Sequence, residues 1–576
     1  MLIKLFRFLK PYRYWVVAIV ILMFLQSISQ LYLPTLMADV VDVGVMNGDT
    51  AYIWQIGALM LLVAALGTLC NIVAGYLSAK SASGYGKGIR ASLFEHAERF
   101  SLQEFDKIGT ASLITRTTND VTQVQQVTFM LMRMFLSAPL MIIGGIVMAV
   151  SKDAKLSLVL VAVIPLLAFV IIFVASKGMP LFRKMQMKLD RLNLVLRENL
   201  TGIRVIRAFN RTEHERKRYE TANTDLTQTA IKVTRLMSVI FPIMLLLLNL
   251  SLVAIMWFGS IRIDNSHMQV GDLMAFTQYA SQILFSLTMV SMMFMMIPRA
   301  SASAVRINEV LEMTPIIVDK PTSASQDVQA GTIRFDDVTF SYPGAEEPAV
   351  SHISFEMNRG EVTAIIGGTG SGKSTIVHLL LRFYDIDSGS ISIGGVDIRD
   401  MTQQQLRSMI GFVPQKASLF TGSVAENIRF GSEDASQEQI ELAARTAQAE
   451  PFIAELEQRF NSPVSQGGTN FSGGQKQRLS IARALAREAA IYVFDDSFSA
   501  LDYKTDAMLR EALQTELSDA ALLIVAQRIS TIMNADRIIV LDEGKVAAIG
   551  THRELLESCS IYREIAMSQL SEEEIA

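Results

Sequence analysis

The chain has 576 residues, more than one hydrophobic core holds, so two or more domains are expected. Half of the residues are hydrophobic and only 19% are charged, a balance foreign to a soluble protein and suited to membrane segments. The net charge of −4 gives no reason to expect nucleic acid or another strongly charged partner.

The N-terminus, Met1 to Lys10, is basic, but no short apolar region with a small-residue cleavage site follows, so no cleaved signal peptide is expected. Six apolar stretches then read as membrane spans: Trp15–Met37, Ile53–Leu77, Met134–Val150, Leu156–Ser176, Ser238–Ile261 and Leu273–Ile297. Most reach the roughly 20 residues needed to cross about 30 Å of hydrocarbon. Helices are the expected spanning form, because a helix satisfies its own backbone hydrogen bonds. The third span is short and has Arg133 at its entrance. Cys70 lies in an apolar run and reads as a packing residue; with the distant Cys559 it forms neither a metal spacing nor a disulfide framework.

Charge orients the spans. The segment Ala38–Tyr52 carries Asp39, Asp42 and Asp49 and no Lys or Arg, whereas Lys4, Arg7, Lys10, Arg13, Lys80, Lys87, Arg90, Arg183, Lys184, Arg204, Arg207 and Arg211 crowd the other side. The positive-inside rule places that side, and both chain ends, in the cytoplasm. The inner connections, near Ser78–Arg133 and Lys177–Met237, have few prolines and apolar residues at helical spacing. They read as cytoplasmic continuations of the spanning helices.

Composition changes after Arg299. The sixth helix is expected to run to about Leu311. Pro315, Pro321 and the Ser-rich Thr322–Gln326 read as a linker. The expected division is a membrane domain over residues 1–311, a linker over 312–331 and a soluble α/β domain over 332–576. Thr332–Phe335, Ser351–Met357 and Glu361–Ile366 read as strands.

The strongest chemical signal is Gly367-Gly368-Thr369-Gly370-Ser371-Gly372-Lys373-Ser374-Thr375, which fits G-x-x-x-x-G-K-[ST]. It follows the strand pattern Val362–Ile366 and precedes the helical run Ile376–Arg382. Glycines let backbone N–H groups turn around phosphate oxygens, and the helix N-terminus adds its positive end. Lys373 is expected on the β- and γ-phosphates of ATP and the Ser374 hydroxyl on Mg²⁺. A second apolar run, Ile491–Phe494, ends in Asp495-Asp496, as a buried parallel strand that delivers a carboxylate to that Mg²⁺ would.

Asn470-Phe471-Ser472-Gly473-Gly474-Gln475-Lys476-Gln477-Arg478 resembles the signature motif of ATP-binding cassette proteins. With the six-span region, the resemblance to the exporter branch covers nearly the whole chain. It implies that Tyr342 in Ser341-Tyr342-Pro343 stacks on adenine. It also implies that Gln415 in Val413-Pro414-Gln415 touches Mg²⁺ and senses the membrane domain. Ser499-Ala500-Leu501-Asp502 matches the D-loop. In this family two cassettes meet head to tail, so a second half-exporter subunit is implied, and Phe471, Ser472, Gly473, Gly474 and Gln475 would serve the partner's ATP. The stretches near Ser101–Lys107 and Arg204–Arg211 would couple the membrane domain to the cassettes.

Four positions depart from the family pattern. Asp496 stands where the water-positioning Glu usually stands, Gln527 replaces the switch histidine, and Gln466 stands where exporters often carry Glu. Asp is one methylene shorter than Glu, and an amide cannot carry a proton as imidazole does. Asp496 and Gln527 both fall on the site of this chain's own phosphate loop, whereas the signature departs only at Phe471, where Leu is usual. The pattern resembles the weakly hydrolysing subunit of bacterial heterodimeric multidrug exporters. The expectation is a multi-pass plasma-membrane protein that moves small amphipathic or apolar compounds. A homodimeric exporter of lipids, peptides or small thiols and a membrane-anchored regulatory ATPase stay open as alternatives. Substrate clues are Gln26, Gln30 and Asn249 within apolar runs, and Met289, Met292, Met293, Met295 and Met296 in the sixth span.

Overall fold

The structure is a computed structural model that describes residues 1–320 and 331–570, apart from the side chains of residues 175, 240, 241 and 291–295. Pro321 and Thr322–Gln326 of the expected linker lie outside the described residues, as do the side chains of Met292, Met293 and Met295. The chain forms two units. The first comprises Met1–Glu98 and Ala111–Met313; the second comprises Arg99–Thr110 and the chain from Thr314 onward.

The first unit is helical. Its long helices are α1 (Arg13–Asp39) and α2 (Thr50–Glu98). The short α3 (Leu102–Ile108) follows and belongs to the second unit. Then come α4 (Val121–Met130), α5 (Leu136–Lys152), α6 (Leu158–Thr201), α7 (Thr212–Asp264) and α8 (Val270–Glu312). Among the described residues, six helical stretches are long and apolar enough to cross a membrane. Helix α2 has 49 residues, about 70 Å at 1.5 Å per residue, more than twice the hydrocarbon thickness. The inner connections are therefore largely continuous helix. Short π-helical turns, Arg116–Asp120 and Leu131–Phe135, flank α4; the sequence pattern does not announce them.

Helices α1 and α2 pack together, α6 packs along α7, and α5 packs against α8. The close approach of α5 depends on Gly144 and Gly145. A Cβ at Gly144 would stand 2.4 Å from Leu31 of α1, and one at Gly145 would stand 2.7 Å from Ile283 of α8. Small residues at such crossings let membrane helices gain van der Waals contact. Near the far ends of these helices the cations are paired: Lys152 with Asp272 at 2.7 Å, and Arg262 with Asp153 at 2.7 Å.

At the other end, buried Asp120 accepts from Ser303 Oγ at 2.8 Å and pairs with the Arg306 guanidinium, joining the first π-turn to α8. Arg306 is 45% exposed, so it can turn to water if Asp120 is removed. The loss then approximates a charged hydrogen bond, about 1.5–3 kcal/mol, and not a stranded buried charge. Asp120→Ala is expected to lower the thermal inactivation midpoint of the purified protein, and Arg306→Ala, which leaves the buried carboxylate without its cation, is expected to lower it more, as measured by the fraction still soluble after heating.

The second unit is α/β. A six-stranded sheet has the order β12-β11-β3-β10-β9-β6, with all neighbours parallel except β12. Its strands are β3 (Val362–Gly367), β6 (Ile410–Val413), β9 (Ile491–Asp495), β10 (Ala521–Val525), β11 (Arg537–Asp542) and β12 (Lys545–Gly550). An antiparallel sheet, β2-β1-β4-β5, is built from β1 (Ile333–Phe340), β2 (Val350–Met357), β4 (Ser388–Ile393) and β5 (Val396–Asp397). A two-stranded ribbon joins β7 (Gly422–Ser423) to β8 (Pro463–Val464). Strand β1 runs to Phe340, beyond the expected Phe335. The charged pair Asp336-Asp337 looks like a turn, but it sits at a register shift, with Asp337 at φ 51°, and the strand resumes after it.

Candidate functional site

Strand register assembles the site. Val525 of β10 lies beside Ile365 of β3 and beside Asp495 of β9, and Val413 of β6 lies beside Phe494. The loops leaving β3, β6, β9 and β10 therefore emerge at one carboxyl edge, where open parallel sheets bind ligands. They carry the phosphate loop, Gln415, Asp496 and Gln527.

The phosphate loop runs from β3 into helix α9 (Lys373–Leu380). Gly370 and Gly372 have φ of 85° and 94°, where an L side chain is strained. A Cβ at Gly372 would also stand 2.6 Å from Val350. Lys373 is buried and donates to the carbonyls of Gly367 and Gly368 at 2.9 and 2.6 Å. Burial pushes its ammonium pKa down, with Asp496 and Asp495 opposing. It is thus held against the loop that would receive phosphate. Thr369 and Ser371 lie in the same loop, and Ser371 Oγ is 3.5 Å from the lysine.

Asp495 closes β9. Its Oδ1 accepts from Ser374 Oγ at 3.1 Å, and burial pushes its carboxyl pKa up. Serine and aspartate oxygens converging beside a phosphate loop are hard donors that fit Mg²⁺, which takes few protein ligands beside substrate phosphates. Asp496 follows at φ 45°, its N–H bonded to Val525 O. Its Oδ2 accepts from Gln527 Nε2 at 3.0 Å and Gln415 Nε2 at 3.2 Å. Two of the residues that depart from the family pattern, Asp496 and Gln527, thus contact each other, and Gln415 joins them.

Tyr342 stands edge-on to Phe340 and Tyr384, and its hydroxyl lies 3.2 Å from Thr375 Oγ1. Tyr384 in turn donates to Asp106 of α3 at 3.4 Å, and Leu102 of α3 packs on the same apolar cluster. The segment that the sequence suggested as a coupling element is therefore bound to the aromatic group around Tyr342 and Tyr384. Tyr384 was not legible from the sequence, because nothing local links it to residue 106. His378 is a further unanticipated neighbour: it lies on α9 near Tyr384, and burial lowers its pKa while Asp495 opposes.

The signature segment opens helix α10 (Gly473–Leu485). Ser472 caps it, accepting from Gln475 N while Gln475 Oε1 accepts from Ser472 N, a reciprocal capping box. Ser472 and Gly473 are exposed, so the helix N-terminus is presented outward. Phe471 is buried against Phe452, with ring centroids 6.2 Å apart. Its departure from Leu is a packing change, and its side chain does not reach the exposed surface. Ser499 Oγ donates to Asp496 O, and Asp502 caps helix α11 (Tyr503–Glu516).

Residues 16–287 match the ABC transporter transmembrane region, and residues 350–499 match the ABC transporter domain. An "Uncharacterized ABC transporter ATP-binding protein" of Mycobacterium tuberculosis is 43% identical, with 97% of each chain covered. An "ATP-dependent lipid A-core flippase" of Vibrio cholerae is 30% identical, with 99% of this chain and 98% of the relative covered. The structure of a bacterial Atm1-family ABC exporter with ATP bound is similar at a TM-score of 0.81 and 26% identity, covering 97% of this chain and 99% of that one. With six apolar helices before an ATP-binding domain in one polypeptide, the chain belongs to the ABC exporters, which couple ATP hydrolysis to transport across a membrane.

Proposed function

We propose that this chain is the weakly hydrolysing half of a heterodimeric exporter of amphipathic or apolar compounds in a bacterial plasma membrane. The observation that carries the reading is the pair of amides on Asp496 Oδ2. A base must reach its water through a free lone pair at hydrogen-bond distance. Here the carboxylate is one methylene short, and its Oδ2 already accepts from Gln415 and Gln527. Neither amide can carry a proton. Ser374, Gln415 and Asp495 would hold Mg²⁺ on the ATP that the phosphate loop takes, which supplies charge neutralisation at the transferred phosphate.

The exposed Ser472 and Gly473 support a partner's site. So does the tip of the α6–α7 pair, where Ile203, Val205 and Phe209 are exposed at 40%, 60% and 75%. Apolar residues at a basic cytoplasmic tip suit cover by a partner's cassette. The charge asymmetry of the loops supports cytoplasmic termini and a cytoplasmic ATP-binding unit. The likeness to a lipid A-core flippase supports amphipathic, lipid-like cargo.

The test is co-expression of the tagged chain with the half-exporters of its own genome, followed by purification and dye efflux from vesicles. The reading expects one partner, carrying Glu and His at the equivalent positions, to copurify in equal amount. Recovery of a transport-active homodimer would overturn it.

A further inference from the structure

Arg133 lies on the π-turn Leu131–Phe135, at the entrance to α5. It precedes Lys152, on the opposite side, by 152 − 133 = 19 residues, about 28 Å of helix. That places it at the inner edge of the hydrocarbon. Its guanidinium does not reach away from the bundle. Nη2 donates to Asn71 Oδ1 of α2 at 2.7 Å, the Phe129 ring lies 6.0 Å beneath it, and a Cβ on Gly75 would stand 3.8 Å from Nη1. Asn71 and Gly75 are one turn apart on the same face of α2. Next to them Ile19, Met23, Ala74 and Met132 form a buried apolar cluster.

Several other cations of the first unit lie on carboxylates. Arg262 has Asp153, Lys152 has Asp272, and Arg306 has Asp120. Arg133 has no carboxylate within ion-pair distance among the described residues; its polar partner is an amide. A charge in this setting is costly and marks a functional site by default. Guanidinium has five donors, and Asn71 takes one. The Asn71 carbonyl is turned to the arginine, and its Nδ2 makes no hydrogen bond among the described residues. Several N–H donors and one positive charge therefore meet at the inner hydrocarbon edge. Planar, bidentate recognition of a carboxylate or phosphate uses such a fork.

We propose that Arg133, held by Asn71, is an anion-recognition site of the membrane unit, and that the compounds it takes are amphipathic anions with a carboxylate, sulfonate or phosphate head. Calling these compounds cargo rests on the exporter reading; their binding does not. The guanidinium and the Asn71 amide would hold the head. The anion has two sources, a soluble amphiphile or a lipid of the inner leaflet.

The test is fluorescence binding of dansyl-labelled undecanoic acid and of its uncharged methyl ester to the assembled, nucleotide-free exporter in phosphatidylcholine nanodiscs. The acid is expected to bind about tenfold more tightly than the ester, the size of one charge-assisted interaction. Arg133→Gln should abolish the preference, Arg133→Lys should keep part of it, and Asn71→Ala should weaken it. A tie that merely joined two helices would lower stability without changing the acid-to-ester ratio. An acid preference that survives in Arg133→Gln, or is missing in the parent, overturns the proposal. Adding phosphatidylglycerol chooses the source: competition with the acid points to a lipid head group, and none points to a soluble amphiphile. Uptake of the acid into inverted vesicles separates the readings. Selective binding without uptake removes the exporter of amphiphiles and keeps the site; uptake unchanged by Arg133→Gln does the reverse.

Discussion

Gly474→Asp is expected to remove nearly all ATP turnover of the assembled dimer, whereas Asp496→Asn should leave most of it. Gly474 lies in the first turn of α10, and a Cβ there would stand 3.2 Å from Ala500 O in the D-loop. A carboxylate at that point would crowd the D-loop and put a negative charge where a partner's γ-phosphate has to come. Loss of a single positioned donor to a reacting anion costs about 10²–10³-fold, and repulsion adds to it. Ser472→Ala should fall in the same range but carries a second cost, because Ser472 also caps the helix, worth about 1 kcal/mol. Ser472→Asn keeps a good cap and changes the hydroxyl. Turnover lost in Ser472→Asn with unchanged thermal stability would therefore assign the loss to the phosphate contact. Steady-state ATPase of the copurified complex gives all four values. A near-complete loss in Asp496→Asn would make this chain's own site the active one.

Asp496→Glu combined with Gln527→His is expected to raise hydrolysis at this chain's own site. The longer side chain advances the carboxylate past the point where Gln415 now holds Asp496, and removal of the Gln527 amide frees one of two occupied acceptor positions. Imidazole supplies the titratable group that an amide lacks. General-base catalysis contributes about 10²–10⁴-fold, so partial repair is visible in a single turnover. The rise should stop short of the partner's site if the partner's signature is itself altered. Cassette opening, and not chemistry, can still set the steady-state rate. The measurement is single-turnover hydrolysis with the partner's general base replaced by Gln. A double mutant no faster than the parent would show that these two residues are not what slows the site.

Local signals made much of the fold legible. Long apolar stretches announce spanning helices because a bilayer demands length and apolarity in one run. Gly370 and Gly372 announce the loop because their positive φ admits little else. What the sequence hid is tertiary. Asn71 holds Arg133 across 62 positions, and Asp120 meets Arg306 across 186. Gln30, noted as a polar residue in an apolar run, receives Gln282 on its backbone carbonyl at 3.5 Å and the Gln26 amide on its own. The π-turns that redirect residues 116–120 and 131–135 have no compositional mark. The contact between Asp496 and Gln527 is intermediate: both stood out as departures, but only parallel register of β9 and β10 puts them on one oxygen.

The proposed division of labour between two ATP sites is tested most directly by purifying the chain alone and with the half-exporter that copurifies with it and measuring ATPase in both. The account predicts that the chain alone binds ATP through Lys373 but turns it over slowly, and that the complex gains an activity lost in Gly474→Asp and kept in Asp496→Asn. Fast turnover by the chain alone, abolished by Asp496→Asn, would contradict it.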